Sequence, residues 1–307
     1  MTKVFIDGSA GTTGLRIRQR LSERRDVELI VLGEDVRKDI DARREALNSA
    51  DIAFLCLPDA AAVEAVSLIE NEQTAVIDTS TAHRTKAGWV YGMAELDGQR
   101  ERIRASKRVA NPGCHASGFI SLVAPLVKAG VLSPDAALSC FSLTGYSGDG
   151  KKMIAEYEAS ERDPLLDAPR QYGLGQTHKH LKEMAALCGL KCPPVFSPIV
   201  ADYYSGMEVC VPVHEALLTG GAEAARRVYR EVYRGPVVRY VGEPGESGFL
   251  SASALSGRDD MEISINGSEG RLVLTARFDN LGKGASGAAI QNMNLLMGVD
   301  ETTGLIL

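Results

Sequence analysis

The chain is predicted to be α/β, with a parallel-sheet domain first and an α+β domain after it. Three observations carry that prediction. Short, almost unbroken apolar strands alternate with helical stretches through the first third, the pattern of a parallel sheet covered on both faces. A glycine-rich turn, Gly8 to Gly14, joins the first strand to the first helix. Beyond Asn111-Pro112-Gly113-Cys114 the texture changes to segments of alternating polarity, which read as a mixed, largely antiparallel sheet.

Taken in order, Val4 to Ile6 form an apolar run that ends at Asp7-Gly8, and Thr12 to Ser22 carries apolar residues at helical spacing. Val27 to Leu32 then reads as a second strand, Ile40 to Leu47 as a charged helix and Asp51 to Pro58 as a third, apolar strand. An alanine-rich helix, Ala60 to Ile69, precedes the strand Ala75 to Ser80, and Lys107 to Ala110 is another short strand. This is a Rossmann-type alternation. After Cys114 a helix is expected over Ala116 to Lys128, followed by strands at Ala137 to Gly148, Met207 to His214, Met261 to Ser268 and Arg271 to Asn280, with a helix near Ala222 to Tyr233. The last segment, from Lys283, is rich in small residues and is expected to pack as a helix back on the first domain. The predicted division is therefore 1–113 completed by 284–307, with 114–283 as the second domain.

Composition narrows the function. The 307 residues carry a formal net charge of -6, and no predicted helix gathers cations on one face, so nucleic acid is not an expected partner. No apolar run reaches the roughly 18 to 20 residues that span a bilayer, and the first residues show no signal-peptide pattern, so a cytoplasmic, membrane-free protein is expected. The six cysteines suggest no disulfide framework. Cys188 and Cys192 lack a second pair at zinc-finger spacing, so no metal is expected.

Gly8-Ser9-Ala10-Gly11-Thr12-Thr13-Gly14 has the place of a dinucleotide-binding turn, where missing Cβ atoms let a pyrophosphate reach N–H groups at a helix N-terminus. Its G-x-x-G-x-x-G spacing departs from G-x-G-x-x-G, and an ordinary βα turn is the alternative. After the second strand come Glu34, Asp35, Arg37 and Lys38. An acid there favours a free ribose 2'-hydroxyl, whereas Arg37 or Lys38 suits a 2'-phosphate, so the chemistry leaves NAD against NADP open.

Cys114 follows a proline-glycine turn and opens a predicted helix, a setting that favours thiolate. A thiolate nucleophile needs an acid/base partner. His115 is adjacent, but on a helix it diverges from Cys114 by about 100°. His178 and His180, flanking Lys179 between a glycine loop and the helical stretch LKEMAAL, are better placed to meet Cys114 across the fold. A solvated turn or an H-x-H metal pair are the rival readings. Ser147-Gly148-Asp149-Gly150-Lys151-Lys152 offers a flexible glycine turn with two cations that can hold a phosphate, although a plain surface turn looks much the same.

At this point the chain resembles, nearly end to end, the N-acetyl-gamma-glutamyl-phosphate reductase family of arginine biosynthesis in its shorter form. The resemblance is carried by GSAGTTG at Gly8, DTSTAHR at Asp78 to Arg84, YGMAEL at Tyr91, NPGCH at Asn111, HKHLKEM at His178 and DNLGKGASGAAIQNMN at Asp279. It implies that Cys114 is the acylated nucleophile, that His180 is the acid/base residue and that Glu183 is the acid of the H-R-H-x-x-E motif. Lys179 stands where the longer form has arginine. Arg84, Ser147, Lys151 and Glu183 make up the expected substrate and phosphate set. The resemblance further implies NADP as cofactor, a second domain of the glyceraldehyde-3-phosphate dehydrogenase-like type, and a small-molecule acyl phosphate as substrate. Further copies of the chain, in a dimer or tetramer, are the expected protein partners. Rival readings are aspartate-semialdehyde dehydrogenase, another acyl-phosphate reductase, or a non-catalytic dinucleotide-binding protein.

Overall fold

The structure is a computed structural model that describes residues 1–242 and 246–307. Along the chain the order begins β1 (Thr2–Asp7), α1 (Thr12–Leu21), β2 (Val27–Ile30), α2 (Ile40–Ser49), β3 (Ile52–Leu55) and α3 (Asp59–Ser67). It continues β4 (Ala75–Asp78), β5 (Val90–Tyr91), α4 (Gln99–Arg104), β6 (Arg108–Ala110), α5 (Cys114–Lys128), β7 (Ser139–Gly145) and α6 (Lys151–Tyr157). The remainder is β8 (Arg170–Gln171), α7 (Leu181–Cys188), β9 (Val195–Ala201), β10 (Met207–His214), α8 (Gly221–Val232), β11 (Val238–Tyr240), β12 (Met261–Ser268), β13 (Arg271–Phe278) and α9 (Gly287–Met297).

The chain forms two compact units: Met1–Ala94 with Gly98–Pro112 and Ala285–Leu305, and Glu95–Asp97 with Gly113–Gly284 and Ile306–Leu307. The short run Glu95–Asp97, the boundary residues Gly113 and Gly284, and the last two residues thus group with the second unit.

In the first unit a six-stranded sheet runs β2-β1-β3-β4-β6-β5, parallel throughout. The period of two along each strand divides its side chains between two cores. Val4, Ile6, Phe54 and Ile77 face one cluster with Ile17 and Leu21 of α1 and Ile290 and Met293 of α9. Phe5, Ala53, Leu55 and Val76 face the other, with Ala46 and Leu47 of α2 and Ala62 and Ala65 of α3. Continuous apolar strands were the sequence signal of this two-sided burial. The order reverses direction at β1, so the carboxyl ends of β1 and β3 form the crevice where such sheets take ligands.

The second unit is a seven-stranded sheet ordered β11-β12-β13-β10-β7-β9-β8. The pairs β12–β13, β13–β10, β10–β7 and β9–β8 are antiparallel, and β7–β9 and β11–β12 are parallel. The mixed, largely antiparallel sheet predicted is the one observed. Helix α5 lies on β10 and β13 so closely that a Cβ on Gly118 would drive into Val209 and Phe278. The other face of the sheet leaves Phe141 and Val195 exposed at 45% and 60%.

Candidate active site

The first unit has a cleft of about 500 Å³, lined by the turn after β1 (Gly8 to Gly11), the end of β2 and the turn after β3 (Cys56 to Pro58). Its shape follows from glycines. Gly8 sits at φ +85, and a Cβ there would collide with Cys56 O. A Cβ on Gly14 would lie 2.5 Å from Gly8 O, whereas on Gly11 it would meet only ordinary contact, Gly8 O at 3.5 Å. Gly8 and Gly14 therefore serve the fold, and the bare face of Gly11 is left for a ligand. Thr12 and Thr13 open α1, which has no side-chain cap, so its first N–H groups can serve an anion.

Arg37 and Lys38 line this cleft with Arg18 of α1. The three cations make this part of the cleft suited to a phosphate group, and Arg18 was not singled out by the sequence. Arg43 also lines the cleft, but its Nε donates to Asp7 at 3.0 Å and its Nη1 to Glu64 at 2.8 Å. The Cys56 thiol at the cleft wall is pushed up to about 12 by burial, so it is inert as a nucleophile.

Arg84 also lies in the first unit. Its Nε donates to Asn111 O and its Nη2 to Thr79 O, both at 3.0 Å. The guanidinium thereby braces the Asn111-Pro112 run that leads into Cys114.

The second unit holds Cys114. Cys114 is the first residue of α5, a helix of fifteen residues with Gly113 as N-cap and no acid in its first turn. A Cβ on Gly284 would stand 3.0 Å from the Cys114 Cβ, so glycine at 284 keeps room beside the sulfur. Gly284 belongs to a π-helical turn, Gly282–Ser286, that precedes α9 where the sequence suggested one continuous helix. Gly282 N and Gly284 N both donate to Asp279 O, at 3.1 and 2.9 Å. Lys283, on the same turn, reaches Glu95 at 2.8 and 2.9 Å, and both side chains are buried.

His115, which follows Cys114, forms one cluster with His178 and His180. His115 points into the core, its ring centroid 5.6 Å from those of both His178 and His180. His178 and His180 turn inward while Lys179 is exposed, so the stretch is not a solvated turn. His180 N donates to His178 Nδ1 at 3.2 Å. His180 is buried at the head of α7, its Nε2 3.9 Å from Glu183 Oε1. Glu183 Oε2 accepts the Gly113 N–H at 3.3 Å, which ties the turn before Cys114 to α7.

His115 itself is held near 3 by burial, with His178 and Lys179 adding to the effect. It is therefore neutral, and bridges Ser142 Oγ at 2.6 Å to the Tyr172 hydroxyl at 2.7 Å. Burial, and after it the charge of Cys114, raises Tyr172 above the usual phenol value. No sequence signal marked Tyr172 or Ser142, and Glu95 and Lys283, although inside the YGMAEL and DNLGKG stretches, were given no role.

Ser147 is buried and its hydroxyl accepts from Asn280 Nδ2 at 3.1 Å. The stretch expected to be a flexible turn is ordered instead, with a 3-10 turn over Tyr146–Asp149 and α6 beginning at Lys151. The chain hydrogen bonds that Gly145, Tyr146 and Ser147 make to Gly206, Tyr203 and Tyr204 account for this. Lys151 is exposed. Among the described residues no group of three potential ligands could hold a metal, and no helix is long and apolar enough to cross a membrane.

Two family profiles match: residues 3–106 to the semialdehyde dehydrogenase NAD binding domain and 114–280 to the semialdehyde dehydrogenase dimerisation domain. Among solved structures, the chain resembles aspartate semialdehyde dehydrogenase II of Vibrio cholerae with a TM-score of 0.74, at 16% identity over 97% of this chain and 98% of that one. Aspartate semialdehyde dehydrogenase with NADP from Candida albicans gives 0.68, at 13% identity over 97% and 99%. The fold is thus that of the semialdehyde dehydrogenases, oxidoreductases with a dinucleotide-binding and a dimerisation domain. Curated relatives narrow the class. An N-acetyl-gamma-glutamyl-phosphate reductase of Brucella ovis is 47% identical over 96% of this chain and 99% of its own length. One from Pseudomonas putida is 45% identical over 98% of both chains, and one from Nostoc is 42% identical over 99% of both. The chain belongs to the N-acetyl-gamma-glutamyl-phosphate reductase family.

Proposed function

We propose that the protein reduces N-acetyl-L-glutamyl 5-phosphate to N-acetyl-L-glutamate 5-semialdehyde, with release of phosphate, as a cytoplasmic step of arginine biosynthesis. The observation that carries this reading is a cysteine at the first position of α5, in the same unit as a histidine backed by a buried carboxylate.

Cys114 attacks as thiolate, stabilised by the positive end of α5. Its sulfur bonds to the acyl carbon, the C–O bond to phosphate breaks, and a thioester remains. N–H groups in the first turn of α5, which no carbonyl of the helix occupies, stabilise the oxyanion. The reduced nicotinamide of NADPH, when bound, supplies the hydride. His180, as imidazolium, gives a proton to the oxygen of the resulting thiohemiacetal and takes it back as the C–S bond breaks and the aldehyde leaves. Glu183 favours the imidazolium and orients the ring.

Lys151 and the Ser147 turn are assigned to the phosphate, and Arg84 acts by holding Asn111-Pro112 rather than by touching substrate. Gly8 to Gly14 hold the cofactor pyrophosphate, and Arg18, Arg37 and Lys38 hold its 2'-phosphate. A homo-oligomer formed through the sheet face bearing Phe141 and Val195 gives those side chains a partner. The deciding assay is phosphate-dependent NADP reduction with N-acetylglutamate semialdehyde and aspartate semialdehyde side by side. The acetylated substrate is expected to win, and a preference for aspartate semialdehyde overturns the assignment.

A further inference from the structure

The substrate proposed above carries an α-carboxylate four carbon–carbon bonds from the reacting carbon, roughly 5 Å away when extended. A charge so close to the reaction needs a cation beside the Cys114 pocket. We propose that Arg170 is that cation, binding the substrate α-carboxylate and so setting specificity; the inference rests on the function proposed above.

Arg170 lies on β8, and Tyr172 continues that ladder by donating its N–H to Pro198 O at 3.0 Å. Residues two apart on a strand share a face and stand roughly 7 Å apart. Tyr172 reaches His115, the neighbour of Cys114, so Arg170 is the next side chain outward on the same face. Contacts agree with this placement. Tyr172 packs on the cluster containing Tyr157, and Arg170 lies over the Tyr157 ring with its Nη2 donating to the Tyr157 hydroxyl at 3.1 Å.

What sets Arg170 apart is its pairing. Arg162 is bound to Asp167 and Asp202, Arg239 and Arg258 to Asp260, and Arg277 to Glu246 and Glu262. Arg170 has no carboxylate partner among these pairs, and its buried Nε has no hydrogen-bond partner among the described residues. A guanidinium held on an aromatic face, with Nη2 on the Tyr157 hydroxyl and a buried Nε still without a partner among the described residues, retains donors that a carboxylate can take.

The test compares wild type, Arg170→Gln and Arg170→Lys in phosphate-dependent NADP reduction with N-acetylglutamate semialdehyde and with its methylamide, in which the carboxylate is uncharged. Arg170→Gln is expected to raise KM for the carboxylate roughly 10- to 100-fold, the worth of a charge-assisted pair, with kcat within about threefold and the methylamide unaffected. Arg170→Lys should recover part of the loss. An equal loss on both substrates in a folded variant assigns Arg170 to structure and overturns the proposal, as does no loss at all. If wild type turns over only aspartate semialdehyde, the function assignment fails while the same carboxylate and amide comparison on that substrate still decides Arg170. Turnover of neither aldehyde overturns both.

Discussion

His180 and Glu183 sit one helical turn apart at the head of α7, with Nε2 and Oε1 3.9 Å apart and both side chains buried. A buried carboxylate at that distance favours the charged imidazole, because the ion pair is weakly screened. Glu183→Gln removes the charge and keeps the shape. The limb of the kcat profile that belongs to His180 should then move to lower pH, with turnover down roughly 10- to 100-fold at neutral pH. An unmoved limb would separate Glu183 from the proton transfer.

His180→Asn should cost roughly 100- to 10,000-fold in turnover, the usual contribution of a positioned acid or base, and His178→Asn much less. Iodoacetamide should still alkylate Cys114 in the His180 variant near neutral pH, because the start of α5 also favours the thiolate. If His178→Asn is the more damaging change, the acid/base role moves to His178.

The glycine turn makes two separable predictions. Gly11→Val has room within the protein, so it should weaken NADPH binding, read by fluorescence titration, with little change in the thermal midpoint. Gly14→Ala places a Cβ 2.5 Å from Gly8 O, so it should lower the midpoint by several degrees. Equal effects of the two variants on both readouts would remove the distinction.

His115 predicts an acid sensitivity. Its folded value of about 3 lies below the ordinary histidine value of 6.5, so between these the unfolded chain binds the extra proton. Stability contributed by the neutral ring is complete above pH 6.5 and declines as pH falls toward 3, by up to about 1.4 kcal/mol per pH unit. Urea unfolding at pH 7 and pH 5 should show the loss, and His115→Gln should show less of it. A variant with the wild-type pH dependence would assign the sensitivity elsewhere.

How far the sequence reveals the molecule depends on how local the signal is. Strands β10 and β12 were bounded correctly because each alternates cleanly and burial follows that alternation. Strand β9 went unread, since Pro194 and Pro198 break the pattern, although in the sheet it pairs with β7 on one side and only the two residues of β8 on the other. Elements as short as β5 and α4 have too few residues to show a period. Of the site, Cys114 and the His178-Lys179-His180 stretch carry their own marks, a proline-glycine turn and a polar cluster. Tyr172, Arg170 and Arg18 do not, because their roles arise only when distant strands and helices bring them together. The inward turn of His115 belongs between these cases: helical geometry says it diverges from Cys114, but only the packed core shows that it ends on Ser142 and Tyr172.

The central claim is that Cys114 carries the substrate as a thioester. Mixing the enzyme with NADP and N-acetylglutamate semialdehyde in the absence of phosphate strands the reverse reaction at that stage. The account predicts a burst of about one NADPH per active site, with the N-acetylglutamyl group found on the Cys114 peptide by mass spectrometry and lost when phosphate is added; Cys114→Ser should give neither burst nor adduct while still binding NADP. A burst without acylation of Cys114, or a serine variant with near-native turnover, would contradict it.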